Sequence, residues 1–230
     1  MRWISSLLDL ISPRQCVVCG QHLTVTEHTL CTPCVLHLPR TAYQFSPEDN
    51  PMAQLFWHVT PVERAAALIF YEPHSEVARV VYELKYDDHP DVGEDMGRRM
   101  ATDMQVARFF DGVDVLLPVP LSRKRRWQRG YNQSEALARG ISDKTGLPVV
   151  TGALRRRHFS QSQTQLSRQE RQANVNGQFW LADAEALRGR HVLLVDDVCT
   201  TGATLIACVH ALAGVEGLRV SVLTFGFTRS

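Results

Sequence analysis

The chain has 230 residues, of which 44% are hydrophobic and 21% charged, and its formal net charge is +1. That length accommodates one medium domain and a small appendage, and the near-zero charge excludes a polycation, so any attraction for phosphates or nucleic acid must come from local clusters. No apolar run approaches the ~20 residues that a bilayer span needs.

Residues 1–11 are apolar, with Trp3, Ile4, Leu7, Leu8, Leu10 and Ile11. Asp9 interrupts the run and no small-residue cleavage site succeeds it, which argues against a secretory signal. Trp3, Leu7, Leu10 and Ile11 fit one helical face, so a docking helix is expected. Cys16-Val-Val-Cys19 and Cys31-Thr-Pro-Cys34 then form two Cys-x2-Cys turns separated by eleven residues. Four thiolates suit tetrahedral Zn²⁺, and a four-sulfur shell is closed and therefore structural. His22, His28 and His37 read as surface residues. Thiols used as metal ligands rather than disulfides fit a reducing cytoplasm. Cys16 to Cys34 contains no Lys or Arg, so the knuckle lacks the phosphate-neutralising charge that nucleic-acid binding needs and reads as the clasp of a small lobe.

Thr41 to Pro61 is polar and Pro-containing, and reads as a linker packed loosely on the next domain. Ala65 to Tyr71 is a predicted strand. A helix is expected from Pro73, with Val77, Val80, Val81 and Leu84 at helical spacing and Lys85-Tyr86 at its end. A second helix spans Pro90 to Phe110, with Val92, Met96, Met100, Met104 and Ala107 inward. Val113 to Pro120 is a buried strand ending at Pro118. Arg123, Lys124, Arg125, Arg126 and Arg129 come next, five positive charges in seven residues. A charge run is ordinarily a solvated face, but this one leaves the C-terminal end of a core strand, where open α/β sheets bind ligands. Ser134 is the expected cap of a helix from Glu135 to Lys144 that stops near Gly146. Leu147 to Val150 is a third strand candidate.

The stretch from Leu154 into residues 158–179 is polar, with three glutamines and two serines between Ser160 and Gln165. It suits either a disordered linker or a lid over a reacting centre. Next comes HVLLVDDVCTTGAT, residues 191–204. His191 to Val195 is a short β-branched run that suits a buried parallel strand. Two carboxylates succeed it, Asp196 and Asp197, and then Thr200-Thr201-Gly202-Ala203-Thr204 leads into a helical run, Leu205 to Leu212. A strand, a small-residue turn and a helix start make an anion site from unpartnered N–H groups, the helix dipole and threonine hydroxyls. Cys199 has no paired His and reads as a small residue in the loop rather than a nucleophile. Val220 to Phe227 is the last strand. Alternation of strands and helices from residue 62 onward predicts an α/β fold with a doubly wound parallel sheet.

VLLVDDVCTTGAT resembles the phosphoribosyl pyrophosphate (PRPP) signature of the type I phosphoribosyltransferases. The Lys85-Tyr86 element, Arg129-Gly130-Tyr131-Asn132-Gln133 and the order Gln163, Leu166, Arg171, Asn174, Gly177, Phe179 are, together with the cysteine knuckle, similar to the ComF/GntX family. The resemblance implies an N-terminal helix and zinc lobe over 1–40, a linker over 41–61 and a phosphoribosyltransferase-like domain over 62–230. It implies catalytic roles for Asp196 and Asp197. It places the sugar phosphate on Cys199, Thr200, Thr201, Gly202, Ala203 and Thr204. It makes Lys85, Arg123, Arg129, Gly130, Asn132, Gln133, Gln163, Arg168 and Arg171 candidates for the pyrophosphate or the lid. The ligand implied is PRPP, or a nucleoside 5′-phosphate, with Mg²⁺. The same resemblance also implies a non-catalytic role in DNA uptake or utilisation, with protein partners or single-stranded DNA, and a PRPP-sensing regulator is the third possibility. The acceptor is not legible.

Overall fold

The computed structural model describes residues 14–86, 89–157 and 177–229. The expected docking helix of residues 1–11 therefore lies outside the described residues, as does most of the lid segment. The elements run α1 (Thr32–Leu36), α2 (Pro51–Gln54), β1 (Ala65–Phe70), α3 (Ala78–Tyr86), α4 (Pro90–Gln105), β2 (Val115–Pro118), α5 (Arg123–Arg129), α6 (Gln133–Thr145), β3 (Leu154–Arg156), β4 (Phe179–Leu181), β5 (His191–Cys199), α7 (Ala203–Leu212) and β6 (Arg219–Phe227).

Four strands form one parallel sheet in the order β1-β6-β5-β2. Successive side chains of β5 from His191 to Asp196 are all buried. Because they alternate between faces, both faces of the sheet are covered, as parallel sheets require. Helix α6 lies on β5 and β2 and packs face to face with α4, while α7 lies against β5 and a two-stranded antiparallel ribbon, β3-β4. The α4–α6 contact is close because glycines meet backbone there. A Cβ on Gly97 would sit 2.1 Å from the Leu137 carbonyl oxygen, and one on Gly140 1.9 Å from that of Glu94.

Several boundaries differ from those the periodicity predicts. His74 has φ 74°, so the chain turns there and α3 starts at Ala78 rather than at Pro73. Arg108 has φ 55°, and α4 ends at Gln105, leaving Ala107 half-buried outside it. Leu147 to Val150 makes only a single parallel bridge, Val149 to Leu116, along the outer edge of β2. Leu154–Arg156, expected as the start of a polar loop, is instead a strand that pairs in register with Phe179–Leu181. The segment from Thr41 is not loose. Thr41 and Phe70 donate backbone hydrogen bonds to Leu68 and Pro39 carbonyls at 3.1 and 2.8 Å, and Ala65 donates to Pro47 at 2.8 Å. Asn50, Met52, Ala53 and Phe56 are buried. The cause is the free edge of β1, whose polar groups this segment satisfies.

Candidate functional site

The acid pair ends a strand that is longer than its apolar run. β5 continues through Asp196 and Asp197 to Cys199 because β6 runs beside it as far as Phe227, pairing Asp196 with Thr224 and Cys199 with Phe227. Asp196 is 8% exposed and Asp197 is half-buried. Asp196 Oδ1 accepts the Ser134 hydroxyl at 2.8 Å and the Asp197 N–H at 2.9 Å. Asp197 Oδ1 accepts the Val198 N–H at 2.7 Å, and its Oδ2 faces Lys85 Nζ at 3.3 Å. Burial, and next the neighbouring Asp197 charge, push the Asp196 carboxyl up to about 7 against the pull of Ser134, the Asp197 N–H and Lys85. One acid of the pair therefore titrates near neutrality while its neighbour is held by a cation.

The turn after β5 is built on Gly202, which has φ 73° and stands as the residue before α7. Only glycine adopts that conformation at little cost. Thr200, Thr201 and Ala203 are exposed and Thr204 is half-buried. Among the described residues no acceptor takes the N–H groups of Thr200, Thr201, Ala203 or Thr204, as expected for the first turn of a helix. They offer donors and the positive end of the helix dipole to an anion. Cys199 differs from the expectation. It is the last residue of the strand, its side chain is 2% exposed, and burial pushes its thiol up to about 12. Its carbonyl takes the Thr228 N–H at 3.0 Å and the Gly202 N–H points at its sulfur. Its side chain shapes the turn from inside instead of facing a phosphate.

The residues Arg129 to Ser134 tie this centre to β2 and α3. Asn132, not Ser134, caps α6: its Oδ1 accepts the Ser134 N–H at 3.2 Å and its Nδ2 donates to the Val119 carbonyl at 3.1 Å. That frees the Ser134 hydroxyl for Asp196. Gly130, with φ 73°, ends α5. Arg129 Nη1 donates to Gln133 Oε1 at 2.8 Å. Gln133 is 1% exposed, and among the described residues its buried Nε2 meets no acceptor. Tyr131, absent from the candidates drawn from sequence, donates its hydroxyl to the Leu84 carbonyl at 2.9 Å, beside Lys85. The aromatic inside Arg-Gly-Tyr-Asn-Gln was the available signal. The structure thus joins Lys85, Asp196 and Asp197 directly, and brings Asn132 and Gln133 to them through Ser134. Arg123 stands apart, exposed on α5 with Lys124, Arg125, Arg126 and Trp127. Gln163, Arg168 and Arg171 lie outside the described residues.

The candidate metal centre is a separate cluster. The sulfurs of Cys16, Cys19, Cys31 and Cys34 all lie within 4.8 Å of one another, and those of Cys19 and Cys31 are 3.6 Å apart. Sulfurs ~2.3 Å from a tetrahedral zinc ion lie roughly 3.8 Å apart, so the donor set fits that ion. The Cys31 N–H points at Cys16 Sγ at 3.4 Å, a contact that favours a thiolate. Glu27 binds the two halves of the lobe together: it accepts the Thr24 N–H at 2.9 Å and the Thr32 N–H at 2.6 Å. Arg79 on α3 reaches the lobe, donating to the Val18 carbonyl at 2.8 Å.

Residues 129–227 match a family model described as a phosphoribosyl transferase domain. The chain is 29% identical over 200 residues to the DNA utilization protein YhgH of Escherichia coli K12, covering 86% of this chain and 83% of that one. It is 36% identical over 110 residues to competence protein F of Haemophilus influenzae, covering 46% of this chain and 48% of that one. A solved glutamine PRPP amidotransferase from Bacillus subtilis superposes with a TM-score of 0.43 at 22% identity, covering 61% of this chain and 30% of that one. Among the described residues no helix is long and apolar enough to cross a membrane.

Proposed function

Since the chain belongs to the ComF family of phosphoribosyltransferase-like proteins, we propose that it binds PRPP with Mg²⁺ and transfers the phosphoribosyl group with release of pyrophosphate. The observation that carries this reading is the direct succession of an acid pair and a turn of unclaimed amides at one strand end. The N–H groups of Thr200 to Thr204, with the threonine hydroxyls, hold the 5′-phosphate. Asp196 and Asp197 accept the ribose hydroxyls and offset the positive charge that grows on the sugar as pyrophosphate departs. Asp196 sits near its titration point, so the fall in its proton affinity on meeting a cationic sugar or metal ionises it. Lys85 leaves Asp197 for the departing oxygens, and the buried Gln133 amide, which meets no acceptor among the described residues, donates to them as well. Asp196 and Asp197 are the carboxylates beside which magnesium would be held, and when bound it would neutralise charge on the leaving group. Structural zinc on Cys16, Cys19, Cys31 and Cys34 holds a lobe over residues 1–40.

The test is calorimetry with PRPP and Mg²⁺ on the protein and on Asp196→Asn and Gly202→Val variants, and then an assay of pyrophosphate release with candidate acceptors. Binding that is abolished by both variants supports the site. Binding without release of pyrophosphate from any acceptor makes the protein a PRPP-sensing regulator. Equal affinity in all three proteins removes the reading.

A second reading is favoured by a different observation. Relatives carry the names DNA utilization protein and competence protein, and Trp127 stands 88% exposed on α5, four and three residues after Arg123 and Lys124 and so on their side of the helix. An exposed aromatic among cations is the composition of a stacking surface for single-stranded nucleic acid. Trp127→Ala would weaken a short oligonucleotide and leave PRPP untouched.

A further inference from the structure

Both acids at the end of β5 are reached from one short turn. Gly130, with φ 73°, ends α5. Asn132 then fixes the turn from both sides: its Nδ2 donates to the Val119 carbonyl at 3.1 Å and its Oδ1 caps α6. From the start of α6, Ser134 sends its hydroxyl to Asp196 at 2.8 Å. From the other side of Asn132, Tyr131 sends its hydroxyl away from the sheet, to the Leu84 carbonyl at 2.9 Å and the His89 carbonyl at 3.2 Å. A phenol carries one proton, so the two carbonyls share it. Leu84 lies in the last turn of α3, where carbonyls have no partner within the helix, and His89 is the residue before α4. One oxygen thus joins the exit of α3 to the entry of α4. Lys85, the next residue after Leu84, places its Nζ 3.3 Å from Asp197 Oδ2.

As a cap alone, the phenol would add only stability. The packing assigns it more. Val80, Val81 and Leu84 are buried, so the apolar face already fixes the path of α3. The Leu84 carbonyl, however, belongs to the same rigid peptide plane as the Lys85 N–H and Cα. Holding that oxygen sets the tilt of the plane, and with it the direction in which the lysine side chain leaves the helix. A flexible four-carbon stem does not hold its ammonium in place unaided, so its root must be fixed. We propose that Tyr131 is a positioning residue that aims Lys85 at Asp197, so that the turn of residues 130–134 sets the partner of each acid, Ser134 directly and Lys85 through the Leu84 carbonyl. The proposal deepens the PRPP reading and rests on it for the ligand, while the placement of Lys85 is measured without one.

Tyr131→Phe removes the hydroxyl and keeps the ring, and a melting scan checks that it folds. Lys85, Lys124 and Lys144 are the lysines of the chain, so lysine labelled with ¹³C at Cε gives few signals, and Lys85→Met identifies the one from Lys85. A pinned side chain shows its two Hε protons as separate resonances, and a free one merges them. The Lys85 pair should be separate in the unaltered protein, merge in Tyr131→Phe as it does in Asp197→Asn, and stay separate in Ser134→Ala. Calorimetry with PRPP and Mg²⁺ should show Tyr131→Phe weaker by roughly fivefold. In the Lys85→Met background the same substitution should cost less than about twofold, because its effect runs through the lysine. A Lys85 pair that Tyr131→Phe leaves as it was, PRPP affinity that Tyr131→Phe does not change, or an equal loss in both backgrounds overturns the proposal. A pair that merges as expected, with no PRPP bound by any of the proteins, upholds the positioning role and removes the PRPP reading instead.

Discussion

Lys85 Nζ lies 3.3 Å from Asp197 Oδ2, so the last turn of α3 delivers a cation to the second acid at the end of β5. The lysine could have served its own helix end or faced a pyrophosphate; in this structure it neutralises a carboxylate. Both side chains are partly exposed, at 26% and 17%, so the pair adds less than about 1 kcal/mol to stability. Lys85→Met should therefore leave the melting temperature nearly unchanged. Under the proposed function it should weaken PRPP with Mg²⁺ roughly tenfold, since one charge-assisted contact to the pyrophosphate is lost. A melting scan and a calorimetric titration on the same preparation decide it, and unaltered affinity would remove Lys85 from the site.

The pH dependence stems from Asp196. Its carboxyl rises from 3.8 to about 7 on folding, so between those values the folded chain holds a proton that the unfolded chain has released. Stability from this group is greatest below 3.8 and declines as pH rises towards 7. Ligand binding with a cation runs the other way, because it needs the anion: affinity for PRPP with Mg²⁺ should climb through pH 7 and level off above it. Ser134→Ala removes a donor to the anion and should move the midpoint of that climb upward by about one unit. An affinity flat from pH 6 to 8 contradicts the assignment.

Removing metal should act beyond the lobe. The four sulfurs are clustered for one ion, and small zinc lobes lose their fold without it. Arg79 grips the Val18 carbonyl inside the first cysteine turn and shares α3 with Lys85. Chelation, or Cys34→Ser, should release about one equivalent of zinc. Amide exchange over residues 78–86 should then speed up, while β5 and β6 stay protected. Unchanged exchange along α3 would show that the lobe and the helix are independent.

The α4–α6 seam should be the least forgiving part of the core. An alanine methyl at Gly97 would lie 2.1 Å from the Leu137 carbonyl oxygen, and at Gly140 1.9 Å from that of Glu94. Backbone cannot yield locally, so the helices must separate, at a cost of about 1–3 kcal/mol or more. Denaturant unfolding of Gly140→Ala should show a lower midpoint with the same slope. Gly214→Ala, which meets nothing within 4 Å, is the control and should move it little.

The parallel α/β character, the cysteine donor set and the placing of two acids before a small-residue turn are all written along the chain. Those features are local. Apolar β-branched runs, paired cysteines and a Thr-Gly turn each act through neighbours a few residues away, and their periodicity survives in one dimension. Where β5 stops was not local: it runs to Cys199 because β6 offers partners as far as Phe227. The role of Ser134 was likewise settled elsewhere, since Asn132 takes the cap and leaves the hydroxyl for an acid 62 positions away. Thr41 to Phe56 packs into the core because β1 has a bare edge, and Leu154–Arg156 is a strand because Phe179–Leu181 returns to it. Pairings between distant segments decide burial, and burial decides which polar groups are left to bind. The alignment of Lys85 on Asp197 and the burial of the Gln133 amide arise from that packing, and no spacing along the chain encodes them.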